Sequence, residues 1–217
     1  MATADQADQI IVPKGADAGT FASNPGRFHA DFLTVAKCYP KAYVAAAAIA
    51  LFGAVITFLV TVIGGDVTGL AAVAITTAIG AFFAWFVFQR PKITASAGCV
   101  LPGFVLDAET GLVAVMTDLT KGGRPYPAVK ILATPLRRSG MKSLKKGQRM
   151  PFVALYEDGN PTGPSWTDFH PLPVPCLTPV RATWKRVAAS IPPEDWEELQ
   201  EALRRLQRPL RVGLYNV

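Results

Sequence analysis

Residues 42–88 form an apolar stretch of 47 residues that carries a single charged side chain, Asp66. In the chain as a whole, 18% of the residues are charged and 50% are hydrophobic. A turn-forming run, Gly64-Gly65-Asp66-Val67-Thr68-Gly69, divides the stretch into halves at 42–63 and 70–88. As helices these halves would be about 33 Å and about 28 Å long, close to the roughly 30 Å of a bilayer core. The pattern therefore predicts a transmembrane helical hairpin.

Small residues recur at a spacing of four in both halves, which would let two helices approach closely in lipid. They could equally be apolar filler. A helical hairpin buried in a soluble protein is the alternative to a membrane hairpin, but both halves are apolar all round and the rest of the chain could hardly cover them. The small residues are Ala46, Ala50 and Ala54 in the first half, and Gly80 and Ala84 in the second.

Basic residues flank the predicted hairpin and are absent from its link. Lys37 and Lys41 precede the first helix, and Arg90 and Lys92 follow the second. The positive-inside rule then places both termini in the cytoplasm. We expect a multi-pass protein of the inner (plasma) membrane, whose three cysteines, an odd number, form no disulfide framework.

Residues 1–41 form a polar N-terminal segment, and its first 23 residues have a disordered composition. Asn24-Pro25 is typical of a helix start. The helix that follows could lie at the membrane surface, or the segment could be a loop packed on the C-terminal domain. Its apolar face would be Phe28, Phe32, Val35 and Ala36.

The C-terminal part of the chain begins with short β-type runs separated by Gly and Pro. They predict a small five-stranded β-barrel of OB or SH3-like type over residues 93–177. Residues 178–217 predict a helical pair, starting at Thr178-Pro179 and Pro192-Pro193, and a tail that docks on the domain. The fold class is thus a transmembrane hairpin joined to an α+β soluble domain. The five predicted strands are 99–106, 112–117, 128–133, 149–156 and 172–177.

Several short motifs of this part resemble an uncharacterised bacterial family of domains of unknown function. The resemblance implies a bacterial protein with a pair of membrane helices and a small soluble domain, and it carries no activity. The layout is also similar to membrane-anchored OB proteins of the NfeD type, as architecture only. The motifs are Thr117-Asp118-Leu119-Thr120-Lys121, Pro125-Tyr126-Pro127-Ala128-Val129, Pro151-Phe152-Val153-Ala154-Leu155-Tyr156 and Ile191-Pro192-Pro193-Glu194.

The sequence nominates no catalytic, cofactor-binding or metal-binding residue. Cys176, His170 and Asp168 could be written as a Cys–His–Asp arrangement, but no spacing enforces it. Paired metal-ligand spacings and a phosphate-binding Gly-Lys-Ser/Thr motif are absent from the sequence.

One basic cluster without acidic residues is the only candidate site. It could be a solvated loop, a contact for anionic lipid headgroups, or a contact for nucleic acid or an acidic protein. Aromatic side chains are not interleaved with it, which disfavours nucleic acid. The cluster comprises Arg137, Arg138, Lys142, Lys145, Lys146 and Arg149.

These observations predict a non-catalytic binding or scaffold module that is anchored in the membrane, faces the cytoplasm and has an unidentified protein partner. An enzyme acting on membrane-proximal substrates and a membrane-tethered nucleic-acid-binding module are the alternatives. A concave polar pocket would favour the enzyme, and a basic face with exposed aromatics would favour the nucleic-acid binder.

Overall fold

A computed structural model describes residues 24–64, 68–121, 124–141, 143–207 and 209–217. The first 23 residues, the centre of the hairpin link with Asp66, and Lys142 of the basic cluster lie outside the described residues. The elements in chain order are α1 (Phe32–Cys38), α2 (Pro40–Gly64), α3 (Thr68–Ala97), β1 (Cys99–Asp107), β2 (Leu112–Asp118), β3 (Pro127–Ala133), β4 (Arg149–Glu157), β5 (Asp168–Pro173), α4 (Arg181–Ala189), α5 (Pro193–Arg205) and β6 (Gly213–Asn216).

The strands form one six-stranded antiparallel sheet in the order β5-β4-β1-β2-β3-β6. The sequence predicted five strands and a closed barrel; instead β5 and β6 are the two edges, and no ladder joins them within the described ranges. The sixth strand is the C-terminal tail, where Tyr215 lies opposite Val129 of β3. The prediction that the tail docks on the domain is confirmed.

The fifth strand begins at Asp168, four residues before the predicted start, and ends at Pro173. Residues 174–176 form a 3-10 turn instead of extending the strand. Pro171 and Pro173 cannot donate to a ladder, so they fit a strand that pairs on one side only. The apolar run that suggested a strand at 172–177 therefore crosses the boundary between an edge strand and a turn.

Strand β1 runs unbroken through Pro102-Gly103, although a Pro-Gly pair commonly marks a bulge or a turn. Gly103 lies opposite Met150, and a Cβ on it would come within 2.5 Å of the Phe152 ring. The glycine is there because the aromatic ring occupies the space that a side chain would need.

Both faces of the sheet are covered. Phe104, Val129 and Ile131 belong to the core that includes the C-terminal helices, whereas Phe152 and Phe169 belong to the core on the opposite face. The alternation of side chains along each strand produces this division.

The C-terminal helices pack with one apolar side against the sheet. Trp196 and Leu199 of α5 are buried, with Glu194 and Asp195 in its first turn. Trp184 of α4 is only half-buried, and its indole N–H donates to the Thr178 carbonyl at 2.7 Å. Helix α4 starts at Arg181, after the predicted start at Thr178-Pro179.

Residues 24–38 form an N-terminal strap that packs on the domain. The Val100 amide donates to the Asn24 carbonyl at 2.9 Å, and the Asp31 amide donates to the Leu177 carbonyl at 2.7 Å. Because the backbone at 24–28 bonds to residues 95–100, the predicted helix start at Asn24 is replaced by a start at Phe32, capped by the Asp31 carboxylate. The α+β domain is thus built from two stretches of chain, and the hairpin of α2 and α3 is inserted between them.

Candidate membrane-facing surface and junction groove

The contact face between α2 and α3 is built from small side chains. A Cβ on Gly80 of α3 would overlap the Cβ of Ala50 on α2, so a larger residue could not be accommodated at this separation. Ala46, one helical turn earlier, is 4% exposed. The spacing of small residues in the sequence therefore marks the helix–helix interface and is more than filler.

Large apolar side chains cover the outward faces of the hairpin. Phe52, for example, is 69% exposed. Monomeric soluble proteins rarely expose contiguous apolar patches larger than a few hundred Å². The side chains that share this exposure include Val44, Ile49, Leu51, Val55, Ile56, Phe58, Leu59, Val62, Ile75, Ile79, Phe82, Phe83, Trp85 and Phe86.

Taken one at a time, the helices of the described ranges do not reach the length and apolarity of a membrane span. The segments Phe32–Cys38 and Pro40–Ile56 meet the length and apolarity of a span only when they are taken together, and the chain bends by 99° between them. Aromatic contacts brace this bend, since the Phe32 ring lies 5.3 Å from the rings of both Tyr43 and Phe88.

A groove of about 300 Å³ opens where the hairpin meets the sheet, and we call it the junction groove. Its walls come from α1, α2, α3, β4 and β5. The apolar part includes Val35, Val87, Leu155 and Leu172, and the polar groups include Tyr43, Arg90, Thr94 and His170.

Two polar groups of the junction groove lack partners. The Tyr43 hydroxyl is buried and makes no hydrogen bond within the described part of the chain. The exposed Arg90 side chain takes part in no ion pair or hydrogen bond there either. Thr94, in contrast, donates its hydroxyl to the Arg90 carbonyl at 2.8 Å.

His170 lies on β5 beside two carboxylates. Its Nε2 is 2.6 Å from Oε2 of Glu157, and the ligand atoms of Glu157, Asp168 and His170 all lie within 4.8 Å of one another. The Lys130 ammonium, however, donates to both Asp168 oxygens at 2.7 Å. This cation supplies the positive charge that a metal would bring, so the cluster is an ion-pair network across β3, β4 and β5.

The structure does not bring Cys176 and His170 together. The Cys176 thiol donates to the Pro135 carbonyl at 3.9 Å and lies beside the free thiol of Cys38 in α1. The hydrogen bond with Cys38 and burial raise the pKa of Cys176, so the thiol stays protonated. The same hydrogen bond lowers the pKa of Cys38. A buried thiol pair across the strap thus replaces the Cys–His–Asp arrangement, and nothing in the sequence spacing indicated it.

The described members of the basic cluster are exposed and form no ion pair with any described carboxylate. Arg137 donates its Nε–H to the Ala108 carbonyl at 3.3 Å, and Arg149 lies over the Trp196 ring at 5.3 Å. Arg137 and Arg138 stand on a 3-10 turn, Leu136–Ser139, that packs against α1. Arg137 and Arg149 lie near the end of β1 that is remote from α3, since Arg137 bonds to Ala108 and Arg149 pairs with Phe104 and not with Cys99.

Residues 94–207, slightly more than half of the chain, match the family described as "Protein of unknown function (DUF3239)". The chain belongs to the DUF3239 family. The resemblance to a family of domains of unknown function is thereby confirmed. The DUF3239 match begins inside α3 and ends after α5, so it includes neither the N-terminal strap nor β6.

One solved structure resembles this DUF3239 protein. It comes from Corynebacterium diphtheriae and is described as a candidate membrane protein; it is 23% identical, with a TM-score of 0.45, over 54% of this chain and 99% of that one. No curated protein matches the chain.

Proposed function

We propose that this DUF3239 protein is a non-catalytic binding module held at the cytoplasmic face of the inner membrane by a two-helix hairpin. One observation carries the proposal: a complete α+β domain is interrupted by a hairpin whose large apolar side chains point outward. The domain supplies the binding surface, and the hairpin supplies the location.

The energetics of the hairpin surface favour a bilayer. Moving apolar surface out of water is worth about 25 cal/mol per Å². With some fifteen large side chains on the outside, exposure to water would cost far more than the 5–15 kcal/mol that stabilises a typical domain. Close packing at Gly80 is the interface expected of helices in lipid, where small residues let backbones approach.

The strap supports a topology with both termini on one side. Asn24 bonds to Val100 across the domain, so α2 leaves and α3 returns to the same folded unit. A hairpin attached in this way enters and leaves the bilayer from one side. Lys37, Lys41, Arg90 and Lys92 flank its two ends and favour the cytoplasm.

A partner surface is available at the β6 edge of the sheet. Tyr126, Leu214 and Val217 expose apolar area there, and the Val217 amide bonds to the Pro127 carbonyl. The tryptophan beside Arg149 is buried, so it offers no stacking platform for a base, and a protein partner is favoured over nucleic acid.

Reporter fusions test the proposed topology. Reporters placed before Met1 and after Val217 should both read cytoplasmic, and one inserted at Asp66 should read as external. An insertion at Gly159, in an exposed turn of the domain, serves as the cytoplasmic control. The protein should also stay in the membrane pellet after alkaline carbonate extraction. A cytoplasmic signal at Asp66 contradicts the two-span hairpin, and release by carbonate contradicts membrane insertion itself.

The basic cluster is proposed to contact anionic headgroups on the side of the domain where its 3-10 turn, Leu136–Ser139, packs against α1, the helix that leads into the hairpin. Each cation near an anionic surface contributes about 1 kcal/mol. In a protein whose hairpin is replaced by a flexible linker, changing Lys142, Lys145 and Lys146 to Gln should weaken co-sedimentation with anionic vesicles by roughly 3 kcal/mol. Arg181 and Lys185 of α4 are as exposed as Lys145 and Lys146, and changing them to Gln should weaken the co-sedimentation less per charge. Equal losses per charge would assign the attraction to net charge alone.

A further inference from the structure

We propose that the junction groove binds one phospholipid with an anionic headgroup, taken from the surrounding leaflet. In this arrangement Arg90 binds the lipid phosphate, the Tyr43 hydroxyl donates to an oxygen near the glycerol, and the apolar wall receives the start of an acyl chain. The inference rests on the proposed function, because a hairpin in the bilayer places the groove at headgroup level.

The unpartnered Tyr43 hydroxyl is the first observation behind this inference. A buried polar group without a hydrogen bond costs about 1–3 kcal/mol, and such groups are rare in folded proteins. Phenylalanine would fill the same space without that cost. A hydroxyl placed among Val35, Val87 and Leu172 is explained when a bound molecule accepts a hydrogen bond from it.

The charge of the groove is the second observation. The Arg90 guanidinium has no partner among the described side chains, and its planar fork matches the oxygens of a phosphate. The neighbouring carboxylate, Glu157, is already paired with His170 Nε2 at 2.6 Å. Among the described side chains, the Arg90 guanidinium is therefore available to bind an anion, whereas the Glu157 carboxylate is already paired with His170.

The shape of the groove fits an amphiphile. Its volume of about 300 Å³ is at the small end of ligand pockets. Its wall combines the ends of both hairpin helices with two strands of the domain, so a ligand there touches apolar hairpin surface on one side and polar groups of the domain on the other. A phospholipid has this division between chain and headgroup.

Lipid retention by the full-length protein tests the inference. The protein is purified in mild detergent, titrated with dioleoyl-phosphatidylglycerol or dioleoyl-phosphatidylcholine, and analysed by native mass spectrometry. The wild type should bind one phosphatidylglycerol at least about tenfold more tightly than phosphatidylcholine, because the trimethylammonium of choline offsets the phosphate charge and repels Arg90. Inorganic phosphate at millimolar concentration should not displace it, which separates a lipid site from a phosphate site.

Two variants distinguish the groove from general attraction to anionic lipid. Arg90→Gln should lose about tenfold in phosphatidylglycerol affinity. Lys92→Gln removes the same charge two residues away, outside the groove lining, and should change the affinity less than twofold. Equal losses in the two variants would overturn the inference, as would equal binding of the two lipids by the wild type.

Tyr43→Phe should affect the melting temperature in one direction without lipid and should affect the stabilisation by lipid in the other. Without lipid the variant should melt at the same temperature as the wild type or higher, because the unsatisfied hydroxyl is gone. With phosphatidylglycerol it should gain less stabilisation than the wild type. An equal gain would show that the hydroxyl does not meet the lipid. Carbonate extraction of each variant reports separately on membrane anchoring, so a failed groove and a failed anchor give different results.

Discussion

The thiols of Cys38 and Cys176 meet in the core between the strap and the domain, and both residues are fully buried. Cys99, at the start of β1, is only partly buried, and burial raises the pKa of its thiol. Alkylation requires the thiolate and access to it, so the three cysteines should differ in reactivity.

In the folded protein at pH 8, we expect maleimide to label Cys99 slowly and to leave Cys38 and Cys176 unmodified. Unfolding in guanidinium should expose all three. Intact mass spectrometry over time measures the stoichiometry, and Cys99→Ser provides the control that should take up no label while folded. Rapid labelling of Cys176 in the native protein would show that α1 does not cover it.

Trp184 and Trp196 lie on the apolar stripes of α4 and α5, a pattern that predicts burial of both, but the structure distinguishes the two. Trp196 is 3% exposed and packs edge-on against Phe104, with ring centroids 5.9 Å apart, whereas Trp184 is half-buried. Trp196→Ala should cost about 3–5 kcal/mol of unfolding free energy, as large aromatic truncations in cores do. Trp184→Ala should cost clearly less. Thermal melts followed by near-ultraviolet circular dichroism give the comparison, and equal losses would contradict the packing of α5.

At the scale of elements, four of the six strands were predictable within one residue at each end. Strands β1 to β4 combine β-branched or aromatic residues with clear turn residues between them, and these signals are local. The tail strand β6 was not predictable, because four residues hold too little pattern and its pairing with β3 is made across the whole domain. The junction groove escaped prediction for the same reason, since its walls come from five separate elements.

The hairpin interface leads to a prediction at this scale. Gly80→Leu should force α2 and α3 apart, because even a Cβ would overlap Ala50. Ala81→Leu adds a comparable side chain on the exposed side of the same helix and should have little effect. The melting temperature in detergent measures both. If the Gly80→Leu and Ala81→Leu variants have the same melting temperature, the helices do not pack as described.

At the scale of the whole molecule, the hairpin divides a domain that is continuous in space. Phe28 and Val35 of the strap belong to the same core as Val100 and Trp196. A fragment starting at residue 93 therefore lacks part of its own core, although the sequence suggested a domain boundary there.

The strap should prove essential to the stability of the domain. A protein in which residues 41–91 are replaced by a flexible Gly/Ser linker keeps the strap and should unfold cooperatively in urea. Residues 93–217 alone should be less stable by several kcal/mol, because burying one large apolar side chain contributes about 1.5–3 kcal/mol. The linker protein with Phe28→Ala should have a urea midpoint between that of the linker protein and that of the fragment. Equal midpoints for the fragment and the linker protein would show that the strap is dispensable.

The divided domain also sets an order of events during synthesis. Residues 24–38 leave the ribosome first, but their partners at Val100 and Leu177 are translated only after both helices of the hairpin. Domains generally fold as units once their parts are present. Phe28 and Val35 therefore stay uncovered until the hairpin and the sheet have both been made. In the proposed topology, the strap closes over the sheet only after the hairpin has crossed the membrane and returned, which would couple correct insertion to completion of the fold.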